Sequence, residues 1–442
     1  MIPLIYAGTV GIINIVLPLR KRVSMKVFKF GGASVNSVDR IKNLASIVRR
    51  FENEPLVIII SAMGKTTNAL EKVAEAFYEG KKEEALQLFE TVKQHHLNTA
   101  KYVLVTQFNA CLAQLTDFFT EIEWLLHDKP VREFDYYYDQ VVCIGELLST
   151  SIISHYLNEV NVVNEWLDVR DLVRTDNNFR DAGIDWEVTS TRVQETIDQK
   201  NNRIYITQGF IGSTADNEST TLGREGSDYT AAIFANILNA ESLSIWKDVE
   251  GVMNADPKLF PEAQLISELS FTEVIEMAYY GAQVIHPKTI KPLQNKQIPL
   301  FVKCFLDPDL PGTVIHQKTS KDHPPIFVIK QSQVLMHLNS QDFSFVGEEP
   351  MSRLYAMFGK VKTRPNLIQT GAISVQLCLD DHPDKIGQLA VAAGDIFDVQ
   401  VEKDLSLLTI RHYNDKAVET LTKGKTIVLM QRTRDTVQVL FR

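Results

Sequence analysis

Cysteine is scarce in this chain, and what there is shows no pairing pattern. Cys111, Cys143, Cys304 and Cys378 are scattered, with no CxxC spacing among them. A disulfide framework is therefore not expected. The thiols read as small apolar residues in a reducing compartment, the cytoplasm. Positive charge is also short: 46 Lys and Arg face 55 Asp and Glu, a net charge of −9. That balance excludes a broad nucleic-acid surface and confines any phosphate site to a local feature. A convincing membrane span is missing. Ile2–Leu19 is nearly all apolar and ends at Arg20-Lys21-Arg22. It is marginal for a bilayer core of about 30 Å, and neither a positive lead nor a small-residue cleavage signal flanks it. Met25 stands directly before the first clear strand, so residues 1–24 are expected to be an N-terminal extension, from an upstream start or as a disordered lead. Low-complexity segments and long-period repeats are absent.

Two chemical signatures also fall short. The stretch VIIISAMGKTTNAL, residues 57–70, runs from an apolar strand into Gly64-Lys65-Thr66. A P-loop would need a glycine five residues before Gly64, and that position is Ile59. His286 precedes a proline and has no second ligand at metal spacing. No metal held by protein ligands is expected.

What is present is an alternation of strands and helices. The 442 residues, 45% apolar and 23% charged, are enough for two or three domains. Met25–Phe30 reads as a short strand. Val35, Val38, Ile41, Leu44, Ile47 and Val48 then recur at helical spacing. Leu56–Ile60 is the unbroken apolar run of a buried parallel strand. Further strands are expected at 160–163, 203–207, 243–246 and 299–304, with a capping box at Ser270–Glu273 opening another helix. This order predicts a mainly parallel sheet with helices on both faces, over residues 25–315. Prolines, lysines and polar residues cluster from Asp307 to Pro325, and a linker is placed at 316–325. Beyond it, 326–442 reads as α+β in small pieces. Strands are expected near 334–339, 368–379, 396–402, 405–411, 425–432 and 436–441, and helices near 350–363, 383–393 and 414–423.

Three glycine corners follow strands of the first region. KFGGASV places Lys29 in the first strand, ahead of Gly31, Gly32 and Ser34. GFIGST and TLGREGSDYTAA are the other two. Glycine lets backbone N–H groups approach an anion, and ligands gather at strand carboxyl ends. Glu146 stands in an apolar helical run, where an unpaired carboxylate is costly. A salt-bridged structural acid and an amine-binding acid both fit it. Asp228 suits the first turn of a helix on dipole grounds alone.

Taken together, KFGGASV, SAMGKTTN, GELLST, QGFIGST, TLGREGSDYTAA, WKDVEGVMNADPK and FTEVIEMAYYGAQVIHPKTI resemble, in order, the aspartate kinases of the amino-acid kinase superfamily. The resemblance covers about Met25 to Ile315, and the C-terminal part looks like the family's ACT regulatory region. It implies a three-layer αβα sandwich followed by ferredoxin-like ACT domains. It implies transfer of the γ-phosphoryl of ATP, with Mg2+, to the β-carboxylate of L-aspartate, the first step toward lysine, threonine and methionine. Lys29 and Asp228 would be catalytic, with Gly31, Gly32 and Ser34 shaping the phosphate cradle. Ser61, Thr67, Glu146, Arg224 and Ser227 would bind the substrate, Glu146 taking the ammonium and Arg224 a carboxylate. Lys247, Asp248, Met253, Lys258, Gln283 and Val284 would flank ATP. Lys247 stands where many members have threonine and Gln283 where many have lysine, which reads as a relocated positive charge. The alternatives are another amino-acid or carbamate kinase of this fold, or a catalytically silent ACT-type sensor.

The regulatory region departs furthest from its relatives. Where the family carries an acid and a Ser-Glu pair, PNLIQTGAISVQL has Asn366 and Gly371-Ala372. GEEPMSRLYAMF also lacks the small-residue turn that wraps an effector's backbone. The second unit reads as shortened, without a closing helix and strand. Weak or absent inhibition by lysine is expected, with a homodimer pairing the uncovered edge through the C-terminal region.

Overall fold

The computed structural model describes residues 24–199, 203–318 and 323–442. The expected N-terminal extension lies outside these residues apart from Ser24. Apolar, β-branched runs form the centre of an eight-stranded sheet. Its spatial order is Glu268–Ser270, Thr313–His316, Leu300–Cys304, Ser242–Lys247, Lys26–Phe30, Leu56–Ile60, Ile204–Gln208 and Asn164–Trp166. All neighbours are parallel except Leu300–Cys304 with Thr313–His316. Strand Leu56–Ile60 is buried along its whole length. Helices cover both faces, and one of them, Ile144–Glu159, is buried along most of its length. No described helix is long and apolar enough to cross a membrane.

Lys26–Phe30 lies between Leu56–Ile60 and Ser242–Lys247. The chain leaves it first to one side and later to the other, so a crevice opens at the carboxyl ends of these strands. One expected strand is displaced. Residues 160–163 form the turn after helix Ile144–Glu159, where Asn161 has φ 62°, and the strand begins at Asn164. Val162 is buried as a loop anchor, which explains its strand-like apolarity. Two short hairpins, Ile211–Ser213 with Ser219–Thr221 and Val252–Met253 with Leu265–Ile266, had no clear sequence signal.

Residues 326–442 form one six-stranded antiparallel sheet. Its order is Leu367–Thr370, Ser374–Asp380, Ile326–Ser340, Phe397–Arg411, Thr436–Phe441 and Ile427–Arg432. The strands expected at 396–402 and 405–411 are one continuous strand. Val334, Met336 and Leu338 pack under helices Glu348–Val361 and Pro383–Ala393, while Leu408 and Ile410 pack with Val418 of helix Asp415–Thr422. The closing strand expected to be missing comes from earlier in the chain: Ile326–Lys330 pairs with Leu407–Arg411. The edge on which the expected dimer rested is therefore covered within the chain. This sheet is clasped to helix Phe271–Tyr279 of the first region by Arg411, which donates to Glu273 at 2.6 and 2.9 Å and to Glu276 at 3.1 Å. Burial alone would raise the Glu273 carboxyl, but Arg411 and His412 outweigh it and hold the carboxyl at about 2.

Candidate active site

The first strand ends by delivering Lys29 into the crevice, and helix Gly226–Ile237 begins beside it with Asp228 in its first turn. Lys29 Nζ lies 2.7 Å from Asp228 Oδ1. Lys247 Nζ, at the end of the neighbouring strand, lies 4.0 Å from Asp228 Oδ2 and donates to the Val284 carbonyl at 2.8 Å. Burial pushes the Asp228 carboxyl upward, but the two ammonium groups outweigh it and hold it below the usual carboxylate range. Gly32 is required by a close crossing: a Cβ there would stand 2.4 Å from the Ala62 carbonyl oxygen. Gly64 donates its N–H to the Gly32 carbonyl at 2.9 Å, which locks the two loops together.

A cavity of about 490 Å3 opens at this junction. Lys29, Gly32, Ser61, Thr67, Glu146, Arg224, Ser227 and Asp228 line it. Gly31 and Ser34 do not; Ser34 is buried and closes a turn by donating its N–H to the Gly31 carbonyl. Glu146 is 2% exposed, and its Oε1 accepts the Ala62 N–H at 3.2 Å. Its Oε2 has no partner among the described residues, and burial pushes the carboxyl up to about 8. Arg224 is exposed at the rim, without an ion-pair partner among the described residues. The cavity thus offers an unsatisfied acid in its wall, a guanidinium at its rim without an ion-pair partner among the described residues, and a lysine–aspartate pair. Such a set suits a small zwitterion that carries an extra negative charge.

A second cavity of about 520 Å3 lies beyond Lys247. Lys247, Met253, Lys258, Gln283 and Val284 line it, and Asp248 does not. Asp248 accepts instead from Arg40 at 2.7 Å, and the same Arg40 nitrogen donates to the Ala33 carbonyl at 3.0 Å. That contact ties the first helix to the strand end. His286 caps helix Pro287–Lys296, its Nδ1 accepting from the Lys288 N–H. The sequence reading missed Tyr138 and Arg180 in the first cavity, and Ile326–Ile329 of the C-terminal sheet in the second. No local pattern marks these, because they arrive from distant segments. Phe210, also in the first cavity, sat within the GFIGST corner without being singled out.

The amino acid kinase family profile matches residues 24–304. The chain belongs to the amino acid kinase family. Within it, the chain is 33% identical over 358 residues to lysine-sensitive aspartokinase 3 of Escherichia coli, covering 80% of this chain and 78% of that one. It is also 33% identical to aspartokinase 2, chloroplastic, of Arabidopsis thaliana, covering 80% and 66%. The crystal structure of E. coli aspartokinase III in complex with aspartate and ADP (R-state) superposes with a TM-score of 0.79 at 28% identity, covering 94% of this chain and 96% of that one.

Proposed function

We propose that this protein is an aspartate kinase, which transfers the γ-phosphoryl group of ATP to the β-carboxylate of L-aspartate to give 4-phospho-L-aspartate and ADP. The observation that carries this reading is the unsatisfied Glu146 Oε2 facing the same cavity as Arg224 and the Lys29–Asp228 pair. The aspartokinase relatives agree with it.

The chemistry follows from charge. A side-chain carboxylate with an ordinary pKa of about 3.9 is ionised at neutral pH, so no general base is needed. A carboxylate oxygen attacks the γ-phosphorus as the bond to the β–γ bridging oxygen breaks, and ADP carries away the electron pair. The barrier lies in bringing an anion to a polyanion. Lys29 neutralises charge at the transferring group, and Asp228 fixes the direction of its ammonium. Glu146 receives the aspartate ammonium, Arg224 grips a carboxylate through its fork, and Ser61, Thr67 and Ser227 supply hydrogen bonds on that side. A divalent cation, Mg2+ in this reading, accompanies the triphosphate and offsets its charge. The described residues hold no cluster of three or more His, Cys, Asp or Glu able to cage a metal. In this reading the cation is bound mainly through phosphate oxygens, with Asp228 as the carboxylate on hand.

Lys247, Met253, Lys258, Gln283 and Val284 hold the nucleotide, with Lys247 supplying the cation that Gln283 lacks. We divide the chain into a catalytic region over 25–315, a linker at 316–325 and a regulatory region over 326–442. Cytoplasmic residence fits the four free, buried cysteines. A homodimer remains the expected assembly. Its support is now the two open sheet edges, Leu367–Thr370 and Ile427–Arg432, the second with Ile427 and Met430 exposed. A hydroxamate assay with ATP, comparing aspartate with glutamate, tests the function. Formation of aspartyl hydroxamate is expected, and equal or greater turnover of glutamate would overturn the assignment.

A further inference from the structure

Asp139 is a fully buried carboxylate that the phosphoryl-transfer chemistry leaves unused. It sits in helix Phe134–Val142, which leads directly into the helix that carries Glu146. Its Oδ2 accepts the Arg180 N–H at 3.0 Å and the Thr221 N–H at 2.8 Å, and its Oδ1 accepts the Thr221 hydroxyl at 2.7 Å. Arg180 and Thr221 come from separate segments, and both line the amino-acid cavity. Arg180 has φ 69°, a left-handed conformation that is unfavourable for a residue with a side chain. Such backbone persists only where the surroundings hold it, and it gathers at functional sites.

The loop that carries Arg180 lies directly on Gly223, the neighbour of Arg224. A Cβ at Gly223 would stand 3.1 Å from the Arg180 carbonyl oxygen and 2.7 Å from Asp181 Oδ1. Two arginines therefore flank one wall. The Arg180 guanidinium stacks over the Tyr138 ring at 4.3 Å and donates to Asp135 at 3.2 Å, with Glu71 at 3.9 Å. A guanidinium carries five N–H groups, so donors remain for the cavity.

We infer that Arg180 is a second substrate-facing cation of the amino-acid cavity, and that Asp139 is the positioning residue that holds it and the Thr221–Arg224 wall in place. The inference rests on the aspartate-kinase reading and deepens it. Aspartate has two carboxylates and one ammonium, and the cavity then offers two arginines and, in Glu146, a carboxyl oxygen without a partner among the described residues. The helical run 134–159 carries both Asp139, which fixes the carboxylate wall, and Glu146, which meets the ammonium. The distance between the two ends is set by one element, a device that favours aspartate over its longer homologue. Burial pushes Asp139 up to about 6 despite its three donors, so it is mostly ionised at neutral pH and accepts all of them.

Steady-state kinetics with aspartate and ATP varied separately test this. Arg180→Gly removes the side chain while suiting the left-handed backbone, so it should fold. Its KM for aspartate should rise about tenfold to a hundredfold, the effect of losing a hydrogen bond to a charged group, with the KM for ATP unchanged. Asp139→Asn should raise the same KM, and the double variant should show less than the product of the two effects. Should Asp139→Asn not fold, Thr221→Val, which removes one donor and keeps the shape, should still give a severalfold rise. An unchanged aspartate KM in folded Arg180→Gly, or equal rises in both KM values, would overturn the inference while leaving the aspartate-kinase reading intact. Wild-type protein that forms no aspartyl hydroxamate would remove both.

Discussion

Lys29 and Asp228 meet at 2.7 Å with side chains only 12% and 4% exposed, one at the end of the first strand and the other in the first turn of a distant helix. The pair is nearly dry, so its electrostatics are far stronger than those of a surface contact. Lys29→Ala should lower kcat by about 100- to 1000-fold, corresponding to roughly 3–4 kcal/mol for one preorganised charge. Circular dichroism should show the fold retained. Near wild-type kcat in folded variant would remove Lys29 from the transfer step.

Glu146 gives a pH dependence whose sign is fixed. Its folded pKa of about 8 lies above the ordinary value of 4.5, so the ligand-free protein favours the protonated form. The stability gained is fully present below about 4.5 and is lost as pH rises through about 8. Aspartate brings an ammonium that needs the carboxylate, so its binding should release a proton at neutral pH. Apparent affinity should climb from pH 6.5 toward about 8 and then level off. Calorimetry in two buffers of different ionisation heat measures the proton release. An aspartate KM that stays flat across this range would contradict the account.

Lys247→Ala should raise the KM for ATP about tenfold or more, through loss of a charge-assisted contact. The aspartate KM should move little, because Lys247 lies at the wall between the cavities and lines only the second. An unchanged ATP KM would sink the idea of a relocated charge.

Free lysine should inhibit poorly. At the position where an effector's ammonium would seek an acid, Asn366 Oδ1 already accepts from Lys330 of the same chain at 2.7 Å. Asn366 also donates to Gln333 at 2.7 Å and to Asp380 at 2.9 Å, so the site's polar groups are satisfied internally. Titrating lysine into the aspartate assay checks this. Half-inhibition below about 1 mM, a binding free energy beyond roughly 4 kcal/mol, would refute it.

The central sheet and the residues that share the first cavity were legible because each of their signals is local. An unbroken apolar run such as Leu56–Ile60 can satisfy itself only in the middle of a sheet, and the strand-to-glycine corners mark where backbone must come close to an anion. Lys29, Arg224 and Asp228 lie at such corners and Glu146 in an apolar helical run, and the fold brings all four to one cavity. The short hairpins carried no such signal, since two or three residues cannot show a period.

The sequence by itself determined most of the strands and helices, and which stretches carry the residues that meet at the first cavity, because propensity, periodicity and motif spacing act over short range. Tertiary structure alone decided the rest. Asp248 pairs with Arg40, Asp139 holds the Arg180 backbone at the first cavity, and Ile326–Lys330 closes the C-terminal sheet from far upstream. Each of these depends on which distant partner satisfies a buried or edge-exposed polar group. That partner is fixed by packing of the whole chain, not by its neighbours in sequence.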